Sequence, residues 1–202
     1  MDRDLPQQVG CPVYLVHRLD KDTAGLMVVA KSPAAASKWT KLAGSGEVKK
    51  VYEAVCTGRI SPEKGVIRES LVQHGAMRDA VTHYEVVSKW TVNVNACSDG
   101  ANSPQANANS PQNGAIHEIP MEKIRLKLET GRMHQIRIHL AGKGCFIAGD
   151  DKHGDFKLNK LLKKSCGIKR LLLASVSLTI PTVSGKKTFT IDLPDYFPPE
   201  SM

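Results

Sequence analysis

No segment of this 202-residue chain approaches the ~20 consecutive apolar residues that would span a bilayer. Its opening, MDRDLPQQVG, is polar and lacks the basic region leading into an apolar one that marks a secretory signal. A protein neither secreted nor held in a membrane is therefore expected. Paired cysteine spacings are missing too. Cys11, Cys56, Cys97, Cys145 and Cys166 are odd in number and form no Cys-x-x-Cys, so neither a disulfide framework nor a zinc knuckle is spelled out and a reducing cytoplasm fits best. Acidic residues are outnumbered, 20 against 28 basic ones, for a formal charge of +8. A positive surface attracts polyanions and raises their encounter rate; nucleic acid is the natural partner, and scattered solvated lysines are the plainer alternative.

With 41% hydrophobic residues the chain can bury one substantial core, so a single domain over residues 1–202 is expected. LMVVA (residues 26–30) reads as a central strand buried on both faces. SPAAASKWTKLAG follows as a helix with Ser32 as N-cap, Pro33 at the first helical position and Gly44 as its stop. VKKVYEAVCTG reads as a strand closed by Gly58. AVTHYEVVSKWTV is another, antiparallel to it, with Thr82, Tyr84, Val86 and Ser88 on one side and Val81, His83, Glu85 and Val87 on the other. Across residues 93–118 the composition shifts to Asn, Ser, Pro, Gln, Ala and Gly, and NSPQ occurs twice. Such a stretch cannot bury enough apolar surface to offset its ordering entropy and reads as a disordered loop insertion. In KIRLKLETG, Ile124, Leu126 and Leu128 alternate as in a half-buried strand, and Met133, Ile136 and Leu140 then fit a helix starting after Arg132. A GDDKHGD loop, a basic stretch over residues 157–170, and strands LLLASVSLTI and KTFTIDLP complete the chain. Many strands and few helices imply an α+β fold.

Asp20 in HRLDKDTAGLMVVAK invites comparison with a calcium loop, since Asp20, Asp22 and Gly25 take its first, third and sixth positions. The rule then fails, with Ala24 at the fifth and Lys31 where a bidentate Glu belongs. One reading of Asp20 is a turn residue ion-paired with Arg18 at the surface. The other is a carboxylate at the mouth of a strand, surrounded by cations and able to act as nucleophile or base on a polyanionic substrate. In TGRMHQIRIH, His134 and His139 are five residues apart and cannot easily share a metal ion, so His134 is expected to hydrogen-bond locally. Arg132, at a helix start, suits a phosphate or carboxylate.

HRLDKDTAGLMVVAK, KVYEAVCTG, LETGRMHQIRIHLAG and the IAGDDKHGD to KRLLLASVSL region occur in the order expected of the RluA-type pseudouridine synthases. The chain resembles that family from residue 14 to 193 apart from the insertion, and most nearly its members acting on large-subunit ribosomal RNA. The resemblance implies a mixed, mainly antiparallel sheet with flanking helices and a central basic cleft. It implies that Asp20 is the catalytic residue, that Arg18 helps displace and replace a flipped uridine, and that Tyr52 lies against the uracil. Arg132 is expected to pair with Asp20, and Leu173 to form part of the apolar floor. Unstacking a base costs about a few kcal/mol, of which aromatic contact recovers ~1–3 kcal/mol. The implied reaction cleaves the glycosidic carbon-nitrogen bond, rotates the uracil and joins its 5-carbon to the ribose, with no metal or organic cofactor.

Ala24, Met133, His153 and Ala174 stand where the family usually has Ser or Thr, Thr, Tyr and His, and Met133 and Ala174 are expected to alter the pocket wall. Family members carry several tens of residues before the HRLD motif, against 16 here, so a fragment of a longer chain is expected, with residues 26–30 as an unpaired apolar edge. The implied partner is RNA, bound by a monomer in the cytoplasm. Alternative readings are a transfer-RNA uridine modifier of the same family and a catalytically inactive RNA-binding remnant.

Overall fold

Capping and alternation set the order of elements in residues 4–95 and 116–200, which the computed structural model of the chain describes. Helix α1 (Asp4–Val9) leads to the short strands β1 (Tyr14–Leu15), β2 (Ala24–Gly25) and β3 (Val29–Ala30). Helix α2 (Pro33–Gly44) starts as its sequence dictates: the Ser32 hydroxyl accepts from the Ala35 amide at 3.2 Å, and Pro33 occupies a position that needs no amide hydrogen. Strands β4 (Lys49–Thr57), β5 (Lys64–Arg68), β6 (Leu71–Gln73), β7 (Ala76–Arg78), β8 (Val81–Asn95) and β9 (Ile116–Leu128) follow. Helix α3 (Gln135–Gly142), strand β10 (Phe146–Ile147), helix α4 (Phe156–Ser165) and a hairpin of β11 (Leu173–Thr182) and β12 (Gly185–Thr190) complete them.

The main sheet has eight strands in the order β12-β11-β4-β9-β8-β5, with β10 also paired to β4 and β2 to β11. Only the β2–β11 pairing is parallel among the described residues, so the sheet is mixed and mainly antiparallel as expected. Strand β4 lies between β9 and β11 and is buried on both faces. Its Tyr52, Ala54 and Cys56 pack with Tyr84, Ile124, Leu126 and Leu173 beneath α3, while Val55 points to the opposite core with Trp90, Met121, Leu172 and Leu162 of α4. Burying side chains such as Ile124 and Leu126 completely contributes roughly 1.5–3 kcal/mol each. That packing makes the sheet a rigid base for the loops at its edge.

Three expectations need correction. LMVVA is not a central strand: only Val29 and Ala30 are extended, paired with Leu15 and Tyr14 in a separate two-stranded ribbon. Continuous burial belongs to β4, whose strand neighbours cover both edges. Nor are residues 26–30 an unpaired edge, because β1 covers Val29 and Ala30 and the Leu26 amide donates to Ser175 O at 2.8 Å. The strands flanking the Asn-rich stretch run further than composition implied. Asn93 pairs with Glu118, Val94 with His117 and Asn95 with Ile116, and Val94 is fully buried. The rest of that stretch, residues 96–115, lies outside the described residues. The basic stretch after residue 156 proves to contain α4, N-capped by Asp155, whose carboxylate accepts from the Leu158 amide at 2.9 Å. Leu158, Leu161 and Leu162 supply its inward stripe.

Candidate active site

Backbone contacts pin the loop that carries Asp20 before any side chain acts. The Thr23 amide donates to Asp20 O at 3.0 Å, closing the turn that Asp22 and Thr23 favour. Gly25 follows with φ +111°, and a Cβ there would sit 2.2 Å from Ser175 O, so only glycine lets β2 lie alongside β11. His17 closes the other side by accepting from the Val28 amide at 3.0 Å through Nε2. Burial first, and the charge of Lys50 second, depress the His17 imidazole to about 4.

Asp20 is thereby held with its side chain 20% exposed, and its two oxygens meet different partners. Oδ2 lies 3.5 Å from Nη1 of Arg137, and Oδ1 lies 4.0 Å from Nε2 of His134. Arg137, in the first turn of α3, is buried, and its guanidinium also grips Asp150 through Nε at 2.8 Å and Nη2 at 2.6 Å. Asp150 additionally accepts from the amides of Lys152 and His153, each at 2.9 Å. Burial opposes its charge, but Arg137 and these amides outweigh it and hold the Asp150 carboxyl below the usual range. Gly149 makes the tight turn before it possible, with φ +77° and no room for a Cβ, which would stand 2.0 Å from Arg170 O.

Asp20 opens into a cleft of about 320 Å³ lined by Arg18, Lys50, Tyr52, Arg132, Gln135 and Leu173 among others. Tyr52 and Leu173 come from neighbouring sheet strands and are almost fully buried. Burial pushes the Tyr52 hydroxyl up to about 12; the Ser175 side chain offsets part of the rise and Asp20 adds to it. Lys50 is half-buried, and burial lowers its ammonium pKa. Arg18 is exposed at the rim. Gln135 organises the opposite wall, accepting from Thr130 Oγ1 at 2.8 Å and the Arg132 amide at 3.0 Å while donating to Val81 O and Thr82 Oγ1 on β8.

The sequence-derived residues Arg18, Asp20, Tyr52, Arg132 and Leu173 thus meet at one cleft, but the guanidinium partner of Asp20 is Arg137, not Arg132. The physical reason is helical geometry. Arg132 precedes α3, and its Nε donates outward to Asp79 O at 3.0 Å, whereas Arg137 projects from the helix into the turn holding Asp150. His134 bonds locally only through its backbone, where its carbonyl accepts from the Ile138 amide at 3.0 Å; its ring bonds to His153, Nδ1 to Nε2 at 2.8 Å. His139 is fully buried and contacts Thr82 Oγ1 and Glu69 O. Met133 is exposed and Ala174 belongs to the opposite core, so neither alters the cleft wall. Lys50, Gln135, Arg137 and Asp150 went unassigned. The available signal was the spacing of Arg137, four residues after Met133 and three before Leu140, which puts it beside the apolar stripe of the helix. Among the described residues no group of three or more His, Cys, Asp or Glu is arranged to hold a metal ion.

Comparison with known proteins identifies a family. Residues 2–142 match the model of the family described as RNA pseudouridylate synthase. Ribosomal large subunit pseudouridine synthase D of Pseudomonas aeruginosa is 33% identical over 150 residues, 69% of this chain but 38% of that protein. The tRNA pseudouridine synthase C of Vibrio parahaemolyticus is 32% identical over 176 residues, 86% of this chain and 68% of that one. The chain thus spans well under half the length of the first of these relatives. The solved structure of human RNA pseudouridylate synthase domain containing 1 superposes with a TM-score of 0.69 at 22% identity, covering 96% of this chain and 74% of that one, which shows the shared fold. Matched to the family model over residues 2–142, and 32% identical to the V. parahaemolyticus relative over 86% of its length, the chain belongs to the RNA pseudouridylate synthase family.

Proposed function

We propose that this chain isomerises uridine to pseudouridine in RNA and that Asp20 is the catalytic residue. The observation that carries the reading is one carboxylate, partnered by buried Arg137, facing a cleft with an aromatic side, an apolar floor and a cationic rim. A flipped uracil fits against the Tyr52 ring and Leu173. Arg18 and Lys50 are available to phosphates, and Arg132 adds positive charge on the far wall. Asp20 promotes cleavage of the bond between ribose C1′ and uracil N1. The freed ring turns within the cleft, its C5 joins C1′, and C5 then loses its proton while N1 gains one. The reaction is an isomerisation, so atoms and electrons balance without a co-reactant. With its hydroxyl pushed up to about 12, Tyr52 is neutral at physiological pH and offers the uracil an uncharged surface.

Large-subunit ribosomal RNA is the proposed substrate class, supported by the nature of the P. aeruginosa relative, with transfer RNA as the competing class named for the V. parahaemolyticus one. Action as a monomer in the cytoplasm completes the proposal; among the described residues no helix is long and apolar enough to cross a membrane. The test is release of tritium from RNA labelled at uracil C5. Purified protein is expected to release it from ribosomal RNA, and Asp20→Asn to release none while still binding RNA. Binding without release by the wild type would leave only an RNA-binding role, and release from transfer RNA alone would reassign the substrate.

A further inference from the structure

His134 and His153 form a hydrogen-bonded pair that the reading above leaves unused. His134 has φ 55°, a left-handed conformation uncommon for a side-chain-bearing residue, and this turns its ring between Asp20 and the Asp150 turn. Its Nδ1 meets His153 Nε2 at 2.8 Å, with the ring planes 78° apart, and its Nε2 is 4.0 Å from Asp20 Oδ1. His153 is fixed in turn by its backbone, whose amide donates to Asp150 Oδ1 at 2.9 Å. The same Asp150 carboxylate therefore anchors both Arg137, at one oxygen of Asp20, and His153, behind the group at the other.

A neutral imidazole carries a single N–H, so at 2.8 Å one ring must donate and the other accept. If His134 donates through Nδ1, its Nε2 presents a lone pair to the Asp20 carboxylate, which is repulsive. If His153 donates through Nε2, the His134 proton sits on Nε2 and points at Asp20. Electrostatics selects the second arrangement. We infer that His153 is a positioning residue that sets the His134 tautomer, so that His134 Nε2–H steadies one oxygen of Asp20 while Arg137 steadies the other. At 4.0 Å the His134 contact is not yet a hydrogen bond, and such contacts tighten when substrate closes the site. The inference rests on Asp20 carrying the chemistry.

The charged and titratable groups facing the pair among the described residues are Asp20 on the opening loop, Arg137 on α3, and Asp150 and Lys152 on the turn, with Asp151 ion-paired to Arg137. Burial lowers the His153 imidazole, with Arg137, His134 and Lys152 adding to the effect against Asp150. A neutral or singly protonated pair keeps its hydrogen bond. A second proton makes both facing nitrogens donors and breaks it, so activity acquires an acid limb that belongs to the pair.

The decisive measurements are the histidine side-chain nitrogen resonances of ¹⁵N-labelled protein and the pH dependence of tritium release. Wild type should show His134 protonated at Nε2 with Nδ1 accepting. In His153→Phe, which removes the donor, the tautomers should mix and kcat should fall about tenfold to a hundredfold, the effect of a slightly misplaced reacting group, with KM within about twofold. His153→Tyr, whose hydroxyl donates without titrating near neutrality, should restore the rate and abolish the acid limb. A wild-type His134 protonated at Nδ1 overturns the inference, even if His153→Phe does not fold. An acid limb unchanged in His153→Tyr does the same, as does an effect of His153→Phe on KM alone. Full activity in Asp20→Asn would sink the catalytic reading instead, and the resonances would still decide the tautomer.

Discussion

At the residue scale, Arg137 and Arg132 separate structural from substrate-directed charge. Arg137 is buried among Asp20, Asp150 and Asp151, so Arg137→Met strands carboxylates and should cost ~3–5 kcal/mol of unfolding free energy. Arg132→Met loses one hydrogen bond at the cleft rim and should cost ~1 kcal/mol or less while weakening RNA binding. Urea titrations of both variants check the contrast; equal losses would contradict the assignment. Asp20→Asn keeps the turn and gives up a partly exposed contact at 3.5 Å, so stability should change by ~1 kcal/mol or less while product formation vanishes. His17 supplies the pH dependence. Its folded-state value, about 4, lies below the ordinary 6.5, so the unfolded chain takes up its proton first. The stability this histidine contributes is complete above pH 6.5 and is lost as pH falls toward 4. Melting temperatures across that window should fall more steeply for wild type than for His17→Asn, whose amide oxygen can still accept from Val28.

At the element scale, helix α2 and the β8–β9 hairpin respond to different physics. The Ser32 cap is local, so Ser32→Ala should cost ~1 kcal/mol and leave the cleft intact. The hairpin instead depends on its last paired residues. Asn95 and Ile116 face each other across the ladder, so residues 96–115 can be replaced by a two-residue Asn-Gly turn. Closure entropy varies only logarithmically with loop length, so the shortened protein should melt at the same temperature or slightly higher. A marked drop on calorimetry would mean that the removed residues contribute to the core. Element β2 carries a tight constraint, since Gly25 leaves no space beside Ser175. That close approach explains why DTAG follows Asp20, as the turn has to deliver the chain onto β11.

At the scale of the whole molecule, the charge of +8 and the cationic rim act together on a polyanion. RNA affinity should therefore fall linearly with salt on logarithmic axes, with a slope set by the phosphates neutralised. Removing Arg18 should reduce that slope by about one phosphate contact, ~0.7 for single strands, without affecting the fold. Filter binding at several salt concentrations measures it, and an unchanged slope would exclude Arg18 from the phosphate path.

Local rules were enough for the elements whose cause is local. Ser32 and Pro33 marked the start of α2, Gly58 marked the end of β4, alternation revealed β8 and β9, and the HRLDKDTAG and TGRMHQIRIH stretches contained Arg18, Asp20 and Arg132, which meet at the cleft. What depended on distant partners was not legible. LMVVA has the composition of a central strand, yet sheet order makes it part of a ribbon, because β4 already occupies the middle. Which arginine meets Asp20 is likewise a matter of helix phase and of where Asp150 arrives, more than a hundred residues further along. The His134–His153 contact joins residues that carry no pairing signal in sequence. Side-chain type and spacing determined the chemistry available to this chain, whereas which charges and rings face one another was decided only when the sheet brought the loops to one edge.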